Sequence, residues 1–409
     1  MALECFTWIT GLLGSLFLTI RVDDGETFER LPDCLIIDIL SRLPAHSFIR
    51  CRWVCRRWRA LVSSHDYFTT LHDDLSRASR PMVLIQDHFA RNGRDLYVFG
   101  ENKKKKKKKK KKAAFKKLHL RSELMINKYW EHPFLLYSCQ GVLLFASSRW
   151  QSTYYVLNPI TQEEVTIQHT LHPGFLCALY FCPYTRQFRI LYVQVRGSFC
   201  QYFVYIFRTQ TWRKIRSSSF NFLPSGVNSA VVNGALHWVM HHDIERKNTP
   251  CENGIMVFRM NKEELSAMPH PGSTVCNSKR AHRTMTLFVK DDCLSFCNLL
   301  FPEYAVDIWI LEDYETRAWI KRYKVNLSDR RIFPFSLCFM EIPSLADDKS
   351  GRIKLLNIQE GELLLLVWNE GLFLYNLDHR TMKRIELPRQ EMKSYCTCRP
   401  YMKSFLAIA

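Results

Sequence analysis

The side chains able to do chemistry are scattered along the chain. His237, His241, His242 and Asp243 crowd one stretch, with Trp238 among them. His241-His242-Asp243 has the side chains to ligate a metal or to act as acid and base. The trio falls at the end of a predicted strand and runs into the polar segment from Glu245 to Asn248, which reads as a solvated loop. Cysteine is plentiful, at fifteen residues, but no C-x-x-C pair occurs. Cys51/Cys55, Cys293/Cys297, Cys177/Cys182 and Cys396/Cys398 lack the nearby His or Cys that a zinc site requires. No nucleophile elbow G-x-S-x-G and no phosphate-cradling glycine loop is present. The expectation is a protein without a catalytic centre, a cofactor or a metal.

Composition narrows the class. The chain has 409 residues, long enough for two or more domains, and 47% of them are hydrophobic. An odd number of cysteines scattered through apolar runs argues for reduced thiols inside a cell, cytoplasmic or nuclear. The net charge of +19 suggests nucleic acid until it is located: ten of those charges are the unbroken run Lys103–Lys112. A block of like charge repels itself and stays solvated. The adopted reading is a disordered lysine-rich insertion at 101–117; anion binding and nuclear import are the alternatives. Residues 5–20 carry no charge, yet sixteen residues are short for a span. No basic residue precedes them and no small-x-small cleavage site follows, so 1–25 reads as a non-secretory extension, with a membrane anchor as the alternative.

Two elements stand out after that extension. Pro32 suits a first helical turn. Leu35, Ile36, Ile39, Leu40 and Leu43 then share one helix face, and Pro44 ends the helix. A second helical pattern carries Cys51, Val54, Cys55, Trp58, Leu61 and Val62 within one arc. Some 45 residues build little core alone. The two apolar faces either pack on the downstream domain or dock in a foreign groove.

After residue 80 the period changes. Short runs rich in Val, Ile, Tyr, Phe and Trp alternate with turn residues, which predicts many β-strands. One landmark is a turn before a strand: Gln140-Gly141, Thr185-Arg186, Asn233-Gly234, Asp291-Asp292 and Glu360-Gly361. The other is a strand, a polar turn and a strand, marked by Asn158, Arg208, Met260, Asp313 and Asp378 at steps of 50, 52, 53 and 65. Two hairpins per period near 50 is the trace of a four-stranded propeller blade; a β-sandwich is the alternative. Five units are evident, and a sixth lies around Met82–Ile85 and Asp95–Phe99.

The order of residues in the helical stretch resembles the F-box: Leu31-Pro32, Leu35 to Leu40, Arg42-Leu43-Pro44, Arg50, Val54-Cys55, Arg56-Arg57 and Trp58. Phe48, Cys51 and Trp53 depart from it mildly. The β region resembles the F-box-associated domain of the large plant F-box family, a kelch-like propeller. It does so through Cys139-Gln-Gly-Val-Leu-Leu-Phe, Val156-Leu-Asn-Pro-Ile-Thr, Thr211-Trp-Arg, Val232-Asn-Gly-Ala-Leu-His-Trp, Ile308-Trp-Ile-Leu and Leu374-Tyr-Asn-Leu. The resemblance implies an α+β multidomain chain: a small all-helical F-box at 26–75, then a mainly-β domain at 80–405, a propeller of five to seven blades. It implies a substrate receptor of a Skp–cullin–F-box ubiquitin ligase, touching the Skp adaptor directly, the cullin indirectly, and an unknown target protein. Leu31, Pro32, Leu35, Ile36, Ile39, Leu40, Leu43, Pro44, Val54 and Trp58 would be the adaptor-facing or module-core set. Target contacts would come from loops around His241–Cys251, Met268–His282 and Ser328–Ser336. The rival reading is a nucleic-acid-binding or membrane-associated propeller.

Overall fold

A computed structural model describes residues 32–41, 51, 55–63, 82–88, 95–100, 115–118, 120, 133–147, 153–168, 174–196, 199–215, 223–224, 229–241, 254–272, 285–300, 305–327, 353–359, 362–367, 370–389, 392, 396–404 and 406–408. Two helices come first, α1 (Asp33–Ser41) and α2 (Arg56–Ser63). Strands follow in six sheets among the described residues.

The first three strands are β1 (Met82–Asp87), β2 (Asp95–Phe99) and β3 (Phe115–Leu118). Blade 2 holds β4 (Phe134–Cys139), β5 (Val142–Ala146), β6 (Thr153–Leu157) and β7 (Glu164–Gln168). Blade 3 holds β8 (Gly174–Cys182), β9 (Gln187–Arg196), β10 (Phe199–Ile206) and β11 (Thr211–Lys214). Blade 4 has a divided inner strand, β12 (Leu223–Pro224) and β13 (Ala230–Val232), both paired with β14 (Ala235–His241). β15 (Ile255–Arg259) and β16 (Glu264–Met268) complete it. Blade 5 holds β17 (Met285–Lys290), β18 (Cys293–Leu300), β19 (Ala305–Asp313) and β20 (Ala318–Asn326). Blade 6 holds β21 (Ile353–Gln359), β22 (Glu362–Val367), β23 (Gly371–Asn376) and β24 (Thr381–Ile385). The last strand, β25 (Cys396–Tyr401), runs antiparallel to β1 from Met82↔Tyr401 to Asp87↔Cys396. It supplies the inner strand of blade 1, beside the first strands of blades 2 and 6, and so closes the ring. The six blades fall within the expected five to seven.

The turns explain why the blades form where they do. Gln140-Gly141, Asn233-Gly234 and Asp291-Asp292 each place both residues at positive φ, the geometry that matches strand twist in a two-residue hairpin. Gly141 meets a second demand: a Cβ there would lie 2.8 Å from the Ser404 backbone nitrogen. At the far hairpins of blades 2, 5 and 6 the chain uses an Asx turn. Oδ1 of Asn158, Asp313 and Asn376 accepts backbone N–H groups two and three residues on. A residue at positive φ then leads into the outer strand: Gln162, Gln210, Glu263, Arg317 or Arg380.

The blades bury their faces against one another. One core joins blades 3 and 4 through Tyr180, Leu191, Trp238 and Phe258. Another joins blades 5 and 6 through Ile308, Val325, Leu365 and Phe373. Polar groups stitch the joints as well. Gln86, fully buried, donates to the Pro133 carbonyl at 2.5 Å and accepts from the Leu135 N–H at 2.8 Å, tying blade 1 to blade 2. Glu263 of blade 4 accepts from Arg189 and Arg213 of blade 3, each at 2.5 Å.

Alternation of antiparallel strands sorts the connections onto two faces. The tight turns lie on one, and the polypeptide enters β1 there at Met82, opposite Tyr401. The second-to-third strand connections and the links between blades leave from the other face. Those bearing 242–253, 273–284 and 328–352 are among them. Phe99 and Phe115 pair on the tight-turn side, so Phe115–Lys117 of the insertion expected at 101–117 belong to β3 instead, while 101–114, with Lys103–Lys112, lie outside the described residues.

Candidate functional site: the helical docking surface

α1 begins on the Pro32 carbonyl, which accepts from Leu35 N at 3.1 Å and Ile36 N at 3.2 Å. Asp33 in the first turn sets a negative charge against the positive end of the helix dipole. Ile36 and Leu40, one turn apart, are fully buried. Leu35, beside them, keeps 49% of its surface exposed, and Pro32 and Cys34 are exposed with it.

The spacing from Cys51 to Val62 predicts one helix, and the structure breaks it. Cys51 is helical, Cys55 is not, and α2 starts at Arg56. The cause is local: the Cys55 thiol accepts the Trp58 N–H at 3.4 Å, at the place an N-cap oxygen takes. Trp58 is buried, and the Arg57 guanidinium reaches Asp33 of α1 through Nε at 2.9 Å and Nη2 at 2.6 Å. Burial pushes the Cys51 thiol up to about 11, so it behaves as a small apolar group.

The ten candidate residues therefore divide. Ile36, Leu40 and Trp58 are buried; Pro32 and Leu35 face water. Ile39 lies in α1. Leu31, Leu43, Pro44 and Val54 lie outside the described residues. The described apolar clusters that join the blades contain no residue of α1 or α2. The contact of Arg57 with Asp33 is not among the sequence expectations; the opposite charges of the two residues are the only signal for it.

The histidine stretch separates too. His237 is fully buried in β14, with Nε2 at 2.8 Å from the Tyr314 hydroxyl and Nδ1 at 3.2 Å from the Ala230 carbonyl. Burial lowers its pKa to about 4, so it stands neutral between blades 4 and 5. His241 ends β14; His242 and Asp243 lie outside the described residues. Of the three predicted rim loops, two lie almost wholly outside them. In the third, Met268 and His270 are buried, the His270 ring stacked on Phe296 at 5.4 Å, so its exposed part starts later. No described helix is long and apolar enough to cross a membrane, and residues 5–20 lie outside the described set. None of the described cysteines is in a disulfide.

Two family models match the chain. The F-box associated beta propeller domain covers residues 95–408, and the F-box domain covers 28–70. An F-box protein of Arabidopsis thaliana, At3g07870, is 26% identical over 333 residues, spanning 74% of each chain. Another from the same plant, F-box protein At1g67130, is 25% identical over 307 residues, spanning 73% of this chain and 61% of that one. Among solved structures, TolB from Acinetobacter baumannii matches at a TM-score of 0.39 and 9% identity over 77% of this chain and 67% of that one. The chain belongs to the plant F-box proteins that carry an F-box-associated β-propeller.

Proposed function

We propose that this chain is the substrate-recognition subunit of a Skp–cullin–F-box ubiquitin ligase. The helical module docks on the Skp adaptor, which connects it to the cullin, and the propeller holds a target protein. Other subunits transfer ubiquitin. The gain comes from proximity, which raises the effective concentration of target lysines. The chain itself then needs no catalytic group.

One observation carries the reading. α1 buries Ile36 and Leu40 yet leaves Leu35 half in water beside an exposed proline. A short helix with a satisfied inner side and an apolar outer residue suits docking in a foreign groove. The membership of the family supports it. By this reading Pro32 and Leu35 are adaptor-facing, while Ile36, Leu40 and Trp58 hold the module together. Leu31, Ile39, Leu43, Pro44 and Val54 complete the proposed set. The target lies against the face that carries the long links between blades, opposite the face where the polypeptide enters β1.

The test is capture of the chain by purified Skp adaptor. Leu35→Asp should abolish capture with the propeller still folded. Capture by that variant at the original level would remove the reading.

A further inference from the structure

Blade 5 ends on an edge unlike the others. β20 runs for nine residues. The outer strands β3, β7, β11, β16 and β24 run for four or five. Among the described residues no strand pairs with the outer side of β20. An unpaired edge presents a row of backbone donors and acceptors, and extended segments of other chains add to such rows. Short edges are one way blades avoid this, and β20 is not short.

Its side chains say what kind of segment fits. β20 contains Lys321, Arg322 and Lys324 and no acid. All three are exposed. Lys321 is ion-paired with Asp307 and lies 5.5 Å over the Trp309 ring, while Arg322 and Lys324 stand further along the rim. Ile320, 43% exposed, sits opposite Ile310 and gives the edge an apolar step beside the cations. Cations and a bulge are common defences of an edge strand, and the register does skip Arg322, between Lys321 and Tyr323. That defence works between like edges, because two basic strands repel. An acidic strand meets the same charges as attraction.

We propose that the outer edge of β20 binds an extended acidic segment of a partner protein by strand addition. Naming that partner the ubiquitination target rests on the receptor reading; the strand addition does not.

The probe is a short fluorescein-labelled peptide of alternating Glu and Val, titrated into the full chain and followed by anisotropy. Saturable binding is expected, with slowed amide exchange confined to β20. The double variant Arg322→Gln/Lys324→Gln should bind about tenfold more weakly, with unchanged thermal unfolding and unchanged adaptor capture. A peptide of the same sequence with alternate amides N-methylated should lose binding, since it cannot extend a sheet. Equal binding of the N-methylated peptide, equal binding by the double variant, or protection elsewhere in the propeller would overturn the proposal. Loss of adaptor capture by Leu35→Asp is read separately, so the two readings fail independently.

Discussion

Arg57 holds one carboxylate oxygen of Asp33 with two nitrogens, at 2.9 and 2.6 Å, across a separation of 24 residues. The contact joins the first turn of α1 to the first turn of α2. Both side chains are substantially exposed, so the pair is screened by water and salt. A double-mutant cycle of Asp33→Asn with Arg57→Gln, read by unfolding of the helical module, should give a coupling of about 0.2–1 kcal/mol that shrinks in high salt.

Leu35 and Leu40 should fail in different ways. Leu40 is fully buried, so Leu40→Ala leaves a cavity and costs roughly 2–5 kcal/mol of module stability. Leu35→Ala removes a half-exposed side chain, so unfolding should barely change while adaptor affinity falls. Thermal unfolding and adaptor capture, measured on both variants, separate the two. Equal loss of stability would place Leu35 in the module core.

Much of the propeller is legible in the sequence because its signals are local. Asn-Gly, Gln-Gly and Asp-Asp state their turn geometry, and alternating apolar runs state the strands between. Three things are not legible. The positive φ of Gln162, Gln210, Glu263, Arg317 and Arg380 is imposed by the preceding turn and has no residue signature. The break at Cys55 depends on a thiol acting as a cap, and helical periodicity runs straight through it. The closing pairs, such as Leu84↔Arg399, lie at opposite ends of the polypeptide, where periodicity carries no information about the neighbour. In the helical module the apolar set was readable, but its division into outer Leu35 and inner Leu40 follows from the rotation of α1 against α2, which only the fold fixes.

The C-terminal tail is a second clasp after β25. Asn158 donates from Nδ2 to the Ser404 and Leu406 carbonyls at 3.1 and 3.0 Å, and the Glu163 carboxylate accepts the Ile408 N–H at 3.1 Å. Leu406 and Ile408 enter the core shared by blades 2 and 3. Ending the chain at Tyr401 keeps the closing strand but exposes that core. Burial of two such side chains is worth roughly 3–6 kcal/mol, so urea unfolding should shift by that order. Asn158→Ala should cost about 1–3 kcal/mol by leaving buried carbonyls unbonded. An unchanged midpoint for the truncated chain would show that the tail adds nothing to closure.

Acid should loosen the joint between blades 4 and 5 through His237. Burial holds its folded pKa at about 4, against the ordinary value of 6.5. Between those values the unfolded ring carries a proton that the folded ring does not. Stability therefore rises with pH across that window, is level above about 6.5, and falls as pH drops toward about 4. The shift corresponds to at most about 3 kcal/mol. Carboxylates titrate at the low end of the same range, so the comparison is with His237→Gln, whose amide can still meet the Tyr314 hydroxyl. Urea unfolding from pH 7 to pH 4.5 should show a steeper loss for the native chain than for the variant. Parallel profiles would mean that the ring takes up its proton without leaving the fold, for instance by turning the Tyr314 hydroxyl to accept it.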